Sequence, residues 1–106
     1  MKFHIPPDNM YDKVNLVISY SVPNNRKMPD LHVTVLGKEY TISNGKSLSV
    51  TIDRGEYNLF FKIPFMIKAA MTDYKIDLDC DKLLEIGWNS VWGRIRIKET
   101  VTHVTL

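Results

Sequence analysis

Residues 47–62 read SLSVTIDRGEYNLFFK. Leu48, Val50 and Ile52 alternate with Ser47, Ser49 and Thr51, and beyond Asp53-Arg54-Gly55-Glu56 the alternation resumes with Tyr57, Leu59 and Phe61 against Glu56, Asn58 and Lys62. Successive side chains of an extended chain point to opposite faces, so a period of two marks two half-buried strands with a turn between them. A tight hairpin with Arg54-Gly55 at its tip pairs Ile52 with Tyr57 and Val50 with Leu59, but sets Asp53 against Glu56, a mildly unfavourable pairing of like charges. A corner between two sheets is the alternative; it puts the two apolar sets on opposite sides of a core.

Upstream, Val14, Leu16, Ile18, Tyr20 and Val22 alternate with Asn15, Ser19 and Ser21, with Val17 the exception, and predict a strand over 13–22. Met1 to Asp12, with Pro6-Pro7, reads as an extended arm, and Pro23 to Asp30 as a loop. Leu31, Val33 and Val35 begin a hairpin which, closed at Gly37-Lys38, pairs Val35 with Tyr40 and Val33 with Ile42. Downstream, Phe65 to Met71 lacks clean alternation, and a one- or two-turn helix started by Pro64 competes with a bent strand. Tyr74, Ile76, Leu78 and Cys80 then face inward, with Asp73, Lys75, Asp77, Asp79 and Asp81 outward. A last hairpin turning at Asn89-Ser90 pairs Trp88 with Val91, Glu85 with Arg94 and Gly87 with Trp92, so that the indole covers the bare glycine. The β-branched tail from Val101 to Leu106 predicts a final edge strand.

Two resemblances follow from these residues. Asp53-x-Gly55-x-Tyr57-x-Leu59 is similar to the tyrosine corner of immunoglobulin-type sandwiches, which implies that the Tyr57 hydroxyl bonds upstream backbone. The run VTVLGKEYTISNGKSLSVTIDRGEYNLFFKI, Val33 to Ile63, resembles bacterial PEGA-type and related immunoglobulin-like domains, although the Pro-x-Gly-Ala that names that family is missing. The resemblance implies a sandwich and a non-catalytic module of interaction or display. The expected fold is therefore all-β: one antiparallel immunoglobulin-like sandwich of seven to nine strands over residues 13–106, with a small barrel as the alternative.

A chain of 106 residues that is 44% hydrophobic and 25% charged fits one ordinary globular domain. Its formal charge of +2 is far below what a polyanionic partner would by itself demand. Cys80 stands alone, so an internal disulfide is excluded and a reducing compartment is the simpler expectation. The N-terminal residues hold no apolar signal core and the chain no membrane-length apolar run; with Met1 as native start, a cytoplasmic protein without a membrane partner is expected.

Catalytic parts are missing: no Gly-x-Ser-x-Gly, no phosphate-binding glycine loop and no Cys-His zinc spacing. Asp77, Asp79 and Asp81 suggest calcium, but Lys82 stands where a calcium loop needs glycine, and the solvated face of a strand explains them. His4, His32 and His103 are scattered, Cys80 faces the core, and no cofactor is expected. Two features are suggestive. Phe65, Met66, Ile67 and Met71 form either a cap on the core or an adaptable apolar interface. Trp92, Arg94, Arg96 and Lys98 put an aromatic and three cations at alternate positions, a stripe suited to single-stranded nucleic acid or carbohydrate; Glu85, the cover over Gly87 and a nearby acidic strand weigh against it. The expected function is a non-enzymatic adaptor that binds another protein, or itself, through a strand edge or the 65–71 segment, with ligand binding by the stripe second.

Overall fold

A computed structural model of the protein describes residues 13–22 and 28–102. The expected N-terminal arm, His4 and residues 103–106, including His103, lie outside the described residues; of the separate strand expected over Val101 to Leu106, Val101 instead ends β8 and Thr102 lies in no strand. The rest forms eight strands: β1 (Lys13–Tyr20), β2 (Leu31–Val35), β3 (Lys38–Ile42), β4 (Lys46–Asp53), β5 (Gly55–Ile63), β6 (Ala70–Leu78), β7 (Lys82–Asn89) and β8 (Arg94–Val101). They make two four-stranded sheets, β4-β1-β7-β8 and β3-β2-β5-β6. All pairings are antiparallel except β1 with β7, which run parallel. The chain is thus an all-β two-layer sandwich rather than a closed barrel, with no helix among the described residues.

The alternating residues line the interior. Val14, Leu16, Ile18 and Tyr20 of β1 meet Leu31, Val33 and Val35 of β2, Leu59, Phe61 and Ile63 of β5, Ile76 and Leu78 of β6, and Leu84 and Ile86 of β7 in one buried cluster. Burying these side chains supplies the main favourable term of folding. Of the two geometries open at residues 53–56, the corner is the one formed. β4 lies in the first sheet and β5 in the second, with only Arg54 between them. Gly55 takes φ 151°, a conformation that side-chain-bearing residues rarely adopt. The Tyr57 hydroxyl donates to the Asp53 carbonyl oxygen at 2.6 Å, the bond the corner reading implied.

Both expected hairpins form, in shifted registers. β2 and β3 pair Val33 with Tyr40 and Val35 with Lys38, so the tip is Leu36-Gly37, one residue earlier than expected. Both tip residues have positive φ, 53° and 77°, which matches the mirror-image turn that fits the twist of paired strands. β7 and β8 pair Asn89 with Arg94, Trp88 with Ile95 and Gly87 with Arg96. Asn89 selects this longer loop: its side-chain oxygen accepts from the Val91 and Trp92 amides at 3.0 and 3.1 Å, and its carbonyl accepts from the Gly93 amide at 2.8 Å.

The helix considered over Phe65 to Met71 is not formed. Ile63 and Ala70 are cross-strand partners, so residues 64–69 must reverse the chain across a single strand spacing. They do so through bends at Met66 and Ile67, with the Phe65 amide bonded back to the Ile63 carbonyl at 3.1 Å.

At the opposite end of the sandwich one charge is taken out of water. The Lys82 side chain lies among the Asp77 carbonyl oxygen at 2.6 Å, Glu99 at 2.8 Å and Asp79 at 3.6 Å. Glu99 in turn accepts from the Tyr74 hydroxyl, tying β8 of one sheet to β6 of the other. The Glu99 contact holds the Lys82 ammonium above its usual pKa, and Lys82 holds the Glu99 carboxyl below its own. No helix among the described residues is long and apolar enough to cross a membrane.

Candidate interaction surface

Strand directions decide which loops meet. β5 ends at Ile63 and β6 starts at its partner Ala70, while β7 ends at Asn89 and β8 starts at its partner Arg94. The 64–69 and 90–93 loops lie at one end of the sandwich, and Phe65 joins them by packing on Trp88 with ring centroids 4.8 Å apart and planes tilted by 51°. An open concavity of about 400 Å³ runs between Met71 of β6 and Gly93, the last residue of the loop, with Arg94 at the start of β8.

This joining divides the first candidate group. Phe65 is half-buried against the core. Met66 and Ile67 are fully exposed, Met71 is 61% exposed, and from the facing loop Val91 and Trp92 add 82% and 71%. Four apolar side chains therefore project from two adjacent loops, and Met71 adds a fifth from the start of β6. Val91 went unnoticed in the sequence because the expected register paired it with Trp88 inside the strand. The only charged residues of segments 64–69 and 90–94 are Lys68 and Arg94, so the tip has a basic edge.

The second group is divided as well. Trp92 stands in the loop, and Arg96, not Trp92, lies opposite Gly87; the expected aromatic cover is absent because the loop is two residues longer than a tight turn. Arg96 and Lys98 lie on the outer face of β8, where Lys98 faces Glu85 across the strands. The acidic strand expected beside them is β6, which belongs to the other sheet.

The remaining candidates occupy structural positions. Asp81 accepts the Asn15 amide at 2.8 Å, tying the β6–β7 turn to β1, and Asp79 sits beside Lys82. Cys80 lies in a bend after β6, half-buried, and burial together with its bond to Asp79 pushes its thiol pKa up, away from thiolate chemistry. His32 is 3.2 Å from Glu39 across the β2–β3 hairpin. No group of three His, Cys, Asp or Glu is placed to hold a metal ion among the described residues.

Compared with protein-family profiles, with curated proteins and with solved structures, the chain finds no match. The fold and its exposed tip define a class, a two-sheet β-sandwich with an apolar loop end.

Proposed function

We propose that the protein is a non-enzymatic interaction module that binds another protein through its loop tip. The observation that supports this reading is the exposure, at 61% or more, of Met66, Ile67, Val91 and Trp92 on two loops at one end of the sandwich and of Met71 at the adjoining start of β6. Contiguous exposed apolar surface is unfavourable for a monomer in water and is kept where a partner covers it. Methionine and tryptophan suit such a role, the one by adaptability and the other by large area with few rotatable bonds. Tip-to-tip self-association would bring Lys68 and Arg94 against their own copies, so the partner that fits is a different protein with an apolar recess edged by carboxylates.

The immunoglobulin-like assignment belongs to the same proposal. The two-layer plan and the Tyr57 corner support it, whereas the order β4-β1-β7-β8 departs from the ABED arrangement of immunoglobulin constant domains. The likeness of residues 33–63 to PEGA-type modules supports the non-catalytic reading.

Capture from a lysate of the native host tests it comparatively. A polypeptide retained by the wild type and by Arg96→Gln, but lost by Met66→Ser/Ile67→Ser/Trp92→Ser, is the expected result; equal retention by all three proteins sinks the tip. A second reading rests on Trp92, which is free of Gly87 and flanked by Arg94: stacking of a base or sugar on the indole. Quenching of tryptophan emission by a short single strand or an oligosaccharide at low salt, lost in Trp92→Phe, would favour it.

A further inference from the structure

Gly87 lies in the middle of β7, where glycine weakens a strand and leaves no side chain to pack. Its conformation does not demand glycine, since it is not among the residues with positive φ. The register runs unbroken from Lys82↔Val101 to Asn89↔Arg94, so there is no bulge for it to serve. Close packing does not demand it either: a Cβ at this position would meet only the Ser21 carbonyl oxygen, at an ordinary 3.6 Å. The bare backbone of Gly87 lines an open hollow of about 270 Å³ in the outer face of the first sheet.

The hollow has a defined lining. Arg96 lies directly across from Gly87, Lys98 lies across from Glu85, and Ser19 of β1 pairs with Glu85 from the other side. Ser21 completes the rim. Neither Arg96 nor Lys98 is within ion-pair distance of a carboxylate among the described residues, although Glu85 is a cross-strand neighbour. A planar guanidinium, an ammonium and two hydroxyls are donors for a tetrahedral oxyanion, while Glu85 can only accept and so favours a ligand that keeps a proton.

We propose that the hollow over Gly87 binds a phosphate group that retains an O–H, with Arg96, Lys98 and the serine hydroxyls donating to its oxygens and Glu85 accepting from its hydroxyl. The site is separate from the apolar tip and does not depend on what the tip binds. Sulfate, which is fully ionised at neutral pH, satisfies the cations but leaves Glu85 facing an anionic oxygen, so it is disfavoured.

Titration of the isotopically labelled full chain at low ionic strength, followed by amide NMR, tests this with inorganic phosphate, sulfate and glycerol 2-phosphate. Saturable shifts confined to residues 19–21, 85–87 and 96–98, with phosphate at least about tenfold tighter than sulfate, are expected. Tighter binding of inorganic phosphate than of glycerol 2-phosphate identifies the free ion as ligand; the reverse identifies a monoester held as its protonated monoanion, whose affinity then rises as pH falls from about 7 to about 6. Glu85→Gln should abolish the preference over sulfate, and Arg96→Gln should weaken phosphate at least about tenfold. Gly87→Thr should remove binding while raising the melting temperature by roughly 3–6 °C, because a β-branched residue fills space the strand already leaves open. Scattered non-saturating shifts, unchanged binding by Gly87→Thr, or a melting temperature lowered by that substitution would each overturn the site.

Discussion

Among the described residues, Tyr20 in the core and Lys82 at its end are polar side chains taken out of water, and each is held differently. Tyr20 is fully buried in β1 and donates its hydroxyl to the Pro29 carbonyl at 2.8 Å. Burial first, and the charge of Asp30 second, push its pKa up to about 12. Its contribution is therefore complete below the unfolded value of about 10 and is lost as pH rises from there to about 12. Tyr20→Phe should cost about 1–2 kcal/mol at neutral pH, chiefly by leaving that carbonyl unpaired, and should flatten the fall of stability between pH 10 and 12 in urea unfolding. Glu99 works in the other direction. Lys82 first, and the Tyr74 hydroxyl second, hold its carboxyl below the ordinary value. Its contribution is complete above the unfolded value of about 4.3 and disappears as pH falls through the lower folded one. Glu99→Gln should cost about 1–3 kcal/mol at neutral pH and remove part of the acid-side loss, as read by thermal unfolding at a series of pH values. The alternation that placed Tyr20 inward was legible in the sequence, whereas the Lys82 cluster was not. Lys82 opens a strand beside Asp79 and Asp81, and it reads there as one more solvated charge until Glu99 arrives from β8.

At the scale of elements, both hairpins kept their faces while their registers moved. The expected pairing of Val35 with Tyr40 gives way to Val35 with Lys38, and Trp88 pairs with Ile95 in place of Val91. Each slip is by an even number of residues, which returns every apolar side chain to the core side; alternation alone therefore cannot choose between them. The turn chooses. Leu36 occupies a left-handed conformation at φ 53° that costs a side-chain-bearing residue about 1–2 kcal/mol and that asparagine tolerates better. Leu36→Asn, which also removes an exposed leucine, should raise stability by about 0.5–1 kcal/mol without changing the denaturant m-value. At residues 53–56 the turn decides more than register. With one residue between β4 and β5, the strands pass from one sheet to the other, and the like-charge pair of a hairpin never forms.

Over the whole molecule, the loops at one end gather side chains that lie 20 residues and more apart in the chain, and this arrangement supports the proposed function. The exposure of Met66 and Ile67 makes a prediction separate from any partner. Met66→Ser/Ile67→Ser should change the melting temperature by less than about 2 °C and lower retention on a hydrophobic matrix, because neither side chain leaves water on folding. A large loss of stability would instead mean that the pair caps the core. The 65–71 segment and the stripe from Trp92 were both visible as anomalies in the sequence, one failing to alternate and the other too basic for an inner face. That half of each would share one end, and that Arg96 and Lys98 would be left beside an uncovered glycine, was not visible. The sequence by itself determined the all-β class, the strands and the faces they bury, because a two-residue period is a local property of an extended backbone. Only the tertiary structure decided sheet membership, the parallel β1–β7 contact, the registers and the companions of each exposed side chain. These depend on turns of positive φ and on pairings between distant strands, and a local pattern is the same for every arrangement that keeps the same faces inward.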